Sequence, residues 1–342
     1  MTSEAGHDTG LLPAAFTVLT RFRRPLYGMA LAVTGLAAGA VGAIAVTGFA
    51  LAWDALEVFR EHVESNRAGE DPPYSYTGGA EVTFGWVGLL VAVLLFVLTA
   101  VVLSLMYASH AVAVRHGHEN GHSDGHGHGH GGLGLADLWR RTHGVFGRVL
   151  ATQLPSLFGV AATLVVGAHV FDDLGWDPFL GITRPRSPFT GYSPLDWVAG
   201  LGLPLLVATV GPYLYARFSL AGSAIVFEDL SAGGALRRSW RLTRGGGGQG
   251  RVLGVWVLIA ADIALVYTLL RFAVAPLARP AEALMLRLSD GNVHSATALG
   301  FVTPYAVAFA LLPVAVLPPA CVLLSVLYPQ LRAREAERAH RS

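Results

Sequence analysis

The chain has 342 residues, 53% of them hydrophobic and only 14% charged, with a formal net charge of +1 and a mean hydropathy of +0.51. That balance excludes an ordinary soluble domain and points to an integral membrane protein, while the small net charge gives no reason to expect a nucleic-acid partner. The single cysteine, Cys321, excludes an internal disulfide. All 24 basic residues are arginine, and with 41 glycines the composition suggests a GC-rich genome such as that of an actinobacterium.

Residues 1–10 are polar and are expected to be a disordered N-terminus. Leu12, Ala15, Phe16, Leu19 and Phe22 then mark a helical stripe that ends among Arg21, Arg23, Arg24 and Pro25. The run from Leu26 to Trp53 carries no charge. A bilayer span needs about 20 residues and a signal-peptide core about 7 to 15, so this run predicts a retained membrane helix. Further apolar runs at Phe84 to Val114, Val149 to Phe171, Trp197 to Phe227, Val252 to Leu277 and Ala296 to Tyr328 bring the prediction to six transmembrane helices. Between the first two, Asp54 to Arg67 keeps helical spacing through Leu56, Phe59 and Val63. The loop 172–196 is rich in Trp, Pro, Phe and Tyr, which suits anchoring at the headgroup level.

Outside these runs, sixteen arginines fall in the N-terminal, 115–148, 228–251 and C-terminal segments, against six in the alternate loops. The positive-inside rule therefore places both termini in the cytoplasm of a multi-pass protein of the bacterial plasma membrane, with the anionic cytoplasmic leaflet as its charged partner. Pro204 and Pro212 are expected to bend the fourth span and Pro304 and Pro313 the sixth, with Pro318 and Pro319 ending it. Such bends serve packing or open a cavity.

Two inner segments repeat. Trp139, Arg140, Arg141, Thr142, His143 and Gly144 align with Trp240, Arg241, Leu242, Thr243, Arg244 and Gly245, and Gly-Arg-Val-Leu follows each, at 147–150 and 250–253. A weaker third copy covers Phe16 to Leu26. The predicted fold class is therefore all-α integral membrane, its six transmembrane helices forming three pseudo-repeats of an interfacial amphipathic helix plus a transmembrane hairpin. A single membrane domain is expected over 11–330, with repeat units of about 11–114, 133–227 and 231–328. A His- and Gly-rich cytoplasmic linker would occupy 115–132 and a basic cytoplasmic tail 329–342.

In the third unit, Arg237, Arg238, Arg241 and Arg244 fall on one side of a helical projection, and Ala235, Leu236, Ser239, Trp240, Leu242 and Thr243 cover the other. This predicts a helix lying on the membrane surface through Arg237, Arg238, Trp240, Arg241 and Arg244. The stretch Ala235 to Gly254, ALRRSWRLTRGGGGQGRVLG, following Glu228, resembles the membrane domain fused to some bacterial glycerophosphoryl diester phosphodiesterases and also found standing alone in actinobacterial membrane proteins. The resemblance implies a fold and a location, and that domain has no catalytic residues to carry over. The chain departs from it at Gly248, Gln249 and Gly250, where the family commonly has an aromatic pair before Arg-Val-Leu. The departure is expected to loosen the junction with the fifth span.

No motif of acyl, phosphoryl or metal-assisted hydrolysis stands in the sequence, so no catalytic residues and no cofactor are expected. His116, His118, His122, His126, His128 and His130 lie close together in a Gly-rich stretch and suit weak binding of zinc, nickel or copper. A flexible, low-complexity linker whose metal affinity is incidental is the preferred reading there. Three polar residues stand inside or at the edge of membrane runs: Asp262, the acid deepest in one; Arg217, expected to snorkel to the interface; and His110. His110, His169 and Gln153 are expected to be satisfied inside the bundle. The expected function is a non-enzymatic membrane protein that organises lipid or envelope partners. The rival is a transporter or metal-responsive protein that uses the His-rich loop.

Overall fold

A computed structural model describes residues 10–68, 77–121, 133–174, 198, 202–244, 248–288 and 293–341. Every regular element among them is helical: α1 (Leu11–Arg21), α2 (Arg23–Ala68), α3 (Thr77–Gly121), α4 (Leu135–Leu174), α5 (Leu203–Phe218), α6 (Ala221–Glu228), α7 (Ala232–Arg244), α8 (Gly248–Ala273), a short 3-10 turn at Ala275–Leu277, α9 (Ala278–Leu288) and α10 (Val293–Arg341). Among the described residues, six stretches are long and apolar enough to cross a membrane: Arg23–Ala55, Gly79–Glu119, Leu135–Val170, Leu203–Glu228, Gly248–Ala273 and Leu299–His340. Each predicted run overlaps one of them. The protein is all-α with six candidate membrane spans, and its apolar helices would contact a lipid bilayer.

The described chain divides into two compact units, Leu31–Leu103 and a larger one built from Met1–Ala30 and Ser104–Ser342. In the smaller unit, α2 and α3 approach at Gly48, where a Cβ would press on the Val91 side chain. Leu36, Val46, Phe49, Trp86, Leu89 and Val93 are all exposed. In water such a surface would aggregate, and in a bilayer it is the solvated face.

Within the larger unit, α4 packs along α5, α8 and α9 pack on α10, and α1 also lies against α10. The α4–α5 contact depends on small residues that let backbones come close. A Cβ at Gly211 would overlap Thr163 Oγ1 and the backbone at Gly159 and Val160, and one at Gly167 would press on Ala208 and the Pro204 carbonyl. Farther along the chain, a Cβ at Gly222 on α6 would enter the Tyr107 ring of α3.

Several local expectations change. Pro204 stands in the first turn of α5, where its missing N–H costs nothing, so it starts the helix. Pro318 and Pro319 lie inside α10, which continues to Arg341. The basic stretch after 329 is therefore the end of a long helix whose Val322, Leu324, Leu327, Tyr328 and Leu331 are buried. Likewise α3 runs on through His116 and His118 to Gly121, so the start of the proposed linker is helical. His169 is exposed, outside the interior expected for it. Gln153 is buried, with its Oε1 lacking a partner among the described residues. The amphipathic α9 was not anticipated. It packs on α10 at Gly300, against Glu282.

Candidate functional site

The sequence run that carries the repeat folds around the acidic pair Glu228–Asp229. Helix α6 is short, and it stops where Asp229 turns into the left-handed region at φ +52°, a conformation that aspartate tolerates better than most side chains. Its last carbonyls would be left without donors. Two arginines from other helices donate at this end, one to a carbonyl of the last turn and one to the residues just beyond it. Arg115 on α3 donates to the Val226 carbonyl at 2.6 Å. Arg148 on α4 donates to Asp229 Oδ1 at 2.7 Å and to the carbonyls of Asp229 and Leu230 at 3.4 and 3.3 Å. Cations are favoured at this end of a helix by its dipole.

Glu228 turns inward and accepts from three sides. The Tyr328 hydroxyl donates at 2.6 Å, Arg238 Nε at 3.3 Å, and Arg332 Nε lies at 3.4 Å. Arg238 Nη2 also lies 3.2 Å from Glu228, and its Nη1 donates to Glu335 of α10 at 2.5 Å. Glu335 also receives Arg241, at 3.3 Å. The central pair is largely withdrawn from solvent, the Arg238 side chain being 11% exposed and that of Glu228 18%. Burial works against the charge of Arg238, and the hydrogen bond to Glu335 with the nearby carboxylates more than offsets it, so its pKa lies above the ordinary arginine value. The result is a fastener of two carboxylates, three guanidiniums and a phenol that joins α6, α7 and α10.

The other side of α7 is tied to α5 and α8. Ser239 Oγ donates to the Arg217 carbonyl at 2.6 Å. The Arg217 guanidinium lies 4.5 Å from the Trp240 ring centroid and 5.3 Å from that of Tyr213, and donates to Gln249 Oε1 at 2.7 Å. Gln249 in turn donates to the Tyr213 hydroxyl at 3.1 Å. Trp240 stacks on Phe218 at 5.6 Å. Cation–π contacts are worth about 0.5 to 2 kcal/mol, more as they are withdrawn from water.

Three expectations need correction. Arg238 and Trp240 are turned to neighbouring helices instead of standing free on α7: one is held by Glu228 and Glu335, the other lies between Arg217 and Phe218. At 100° per residue Arg238 has rotated off the face of Arg237, Arg241 and Arg244, which remain exposed. Arg217 does not snorkel, being 9% exposed and enclosed by aromatic rings. The junction at Gly248 to Gly250 is also not loose. Gln249 ties it to α5, and Gly248 sits so close to the Leu242 carbonyl that a Cβ would overlap it. Gly248→Ala is therefore expected to destabilise the protein by about 1 to 3 kcal/mol. Gly250→Ala, where a Cβ meets nothing, should be neutral or slightly stabilising, and thermal unfolding in detergent compares the two.

The three intramembrane candidates are not brought together. His110 is fully buried, its Nδ1 2.6 Å from the Met106 carbonyl and 3.2 Å from Ser109 Oγ, with Nε2 lacking a partner among the described residues. The carbonyl bond places the proton on Nδ1. Asp262 is half-buried on α8 and forms none of the described hydrogen bonds or ion pairs. Of the six linker histidines, His116 and His118 lie near the end of α3, and His122, His126, His128 and His130 lie outside the described residues. Among the described residues no group of three His, Cys, Asp or Glu side chains is placed to hold a metal.

Sequence reasoning missed the partners on α10. Tyr328, Arg332 and Glu335 stand at i, i+4 and i+7, one helical face, which reading 329–342 as a tail concealed. Fold and site together define a multi-pass helical membrane protein in which, among the described residues, a cluster of charged side chains fastens helices together. Comparison with family models, with curated proteins and with solved structures finds no match to this chain.

Proposed function

We propose that this is a non-enzymatic protein of a bacterial plasma membrane, with both termini in the cytoplasm, that organises lipid or envelope partners as a standalone relative of the phosphodiesterase-associated membrane domain. The observation that carries this reading is the use made of the resembling residues. Glu228, Arg238, Ser239 and Trp240 are each engaged with side chains or backbone of neighbouring helices, which is the work of a joint. The proposed three-unit organisation draws support from the amphipathic α1 just before α2 and α7 just before α8. In the middle unit the corresponding segment is the start of α4 itself.

Two measurements test the reading. Purified protein in proteoliposomes, given glycerophospholipids and glycerophosphodiesters, is expected to release no more product than protein-free vesicles. Turnover that disappears with Asp262→Asn would replace the scaffold reading with an enzymatic one. Single cysteines at Ser75, Ser123 and Ser231 in a Cys321→Ala background report topology. Only position 75 should react with an impermeant maleimide added to intact cells, and labelling at 123 or 231 would overturn the orientation.

A further inference from the structure

A groove of about 340 Å³ opens between the first residues of α1 and the facing sides of α8 and α10. Helix α8 contributes Arg251, Val255 and Leu258, at i, i+4 and i+7, and α10 contributes Leu327, Gln330 and Arg334, at i, i+3 and i+7. Each helix thus carries one arginine and, seven residues or about 10 Å along its axis, one leucine of the same wall. The groove is cationic at one end and apolar at the other. Both arginines are half-buried, and neither guanidinium is engaged by a hydrogen bond, an ion pair or an aromatic ring among the described residues. This sets them apart from Arg238, Arg148 and Arg217, whose charges the fold itself occupies. Among the described residues, none that lines the groove is acidic.

We propose that this groove seats an anionic glycerophospholipid, its phosphate between Arg251 and Arg334 and one acyl chain along Val255 and Leu258. Two guanidiniums present planar donor forks suited to phosphate oxygens. With no carboxylate among the described lining residues to receive the ammonium of a zwitterionic headgroup, selection for net negative lipid follows from the same residues. The apolar wall favours a lipid over a free phosphate, since a soluble phosphate ester would leave Leu258, which is 42% exposed, uncovered. The proposal rests on the lipid-organising reading above and names the class of lipid.

The test uses the full chain, delipidated in a non-ionic detergent, with retained lipid counted by native mass spectrometry. Dioleoylphosphatidylglycerol should be retained at least fivefold more than dioleoylphosphatidylcholine, and sn-glycerol 3-phosphate should not compete with it. Arg251→Gln with Arg334→Gln should abolish that preference. A second variant separates a shaped site from diffuse attraction to arginines. A Cβ at Gly254 in the groove wall meets nothing, so Gly254→Leu fills the groove, keeps both charges and favours the helix. It too should lose the preference. Equal retention of the two lipids by the wild-type protein, or undiminished selectivity in Gly254→Leu, overturns the proposal. Competition by glycerol phosphate at equal concentration replaces the lipid with a soluble phosphate ligand. Failure here leaves the turnover result untouched, and turnover of lipid would sink the scaffold reading without bearing on which headgroup the groove retains.

Discussion

Arg238→Ala is expected to lower the unfolding free energy by about 3 kcal/mol, the lower end of the range for breaking a buried ion pair. The mechanism is specific. Removing the guanidinium leaves Glu228, 18% exposed, with the Tyr328 hydroxyl and the more distant, half-exposed Arg332 as its remaining partners. Of its ion-pair partners given above, Glu335 keeps Arg241, whose side chain is 68% exposed and pairs weakly through solvent. The last turn of α6, the middle of α7 and the end of α10 would lose their common partner together. Arg237→Ala, one residue away on the exposed face, should change stability by less than about 0.5 kcal/mol. Thermal unfolding in detergent followed by circular dichroism separates the two outcomes. Equal effects would mean that the arginines of α7 act as a surface patch.

Gly211→Val is expected to cost at least as much, by a different route. The α4–α5 contact holds α5 so close that a Cβ at 211 would overlap Thr163 Oγ1, the Val160 Cα and the Gly159 carbonyl. Two of the three are backbone atoms, which no rotamer change can move, so the helices must separate. Overpacking of this sort costs about 1 to 3 kcal/mol where side chains can adjust, and more where they cannot. The loss should exceed 3 kcal/mol or appear as protein that fails to accumulate in the membrane. Gly159→Ala, on the facing helix, meets nothing within van der Waals reach and should be tolerated. If Gly211→Val accumulated and melted like the wild type, the close approach of α4 and α5 would be wrong.

The spans were legible because a bilayer imposes a length: about 20 apolar residues have to stand together, and six such runs do. What lay within the polar joints was harder to read. A helical projection groups Arg237, Arg238, Arg241 and Arg244 because it knows only their own helix. Arg238 is turned inward by carboxylates 10 and 97 residues away in sequence. The positive-inside count used Arg115 and Arg148 as markers of one side, yet their guanidiniums are occupied with the end of α6. Pro318 and Pro319 looked like a stop, since proline removes a helical donor, but packing carries α10 through them. Gln249 looked like a loss relative to the resembling family, because its value depends on Arg217 and Tyr213 being near, which only the fold determines. The unengaged Arg251 and Arg334 looked no different in sequence from the arginines that the fold consumes.

The central claim is that the Glu228–Arg238 pair is a structural fastener, and a double-mutant cycle measures it most directly. Glu228→Gln, Arg238→Met and the two combined would be compared with the wild type by unfolding in the same detergent. The fastener predicts that the double variant is less destabilised than the sum of the singles by at least about 1 kcal/mol, within the coupling range for residues in one ion-pair network. Strict additivity, with no coupling between the two positions, would contradict it.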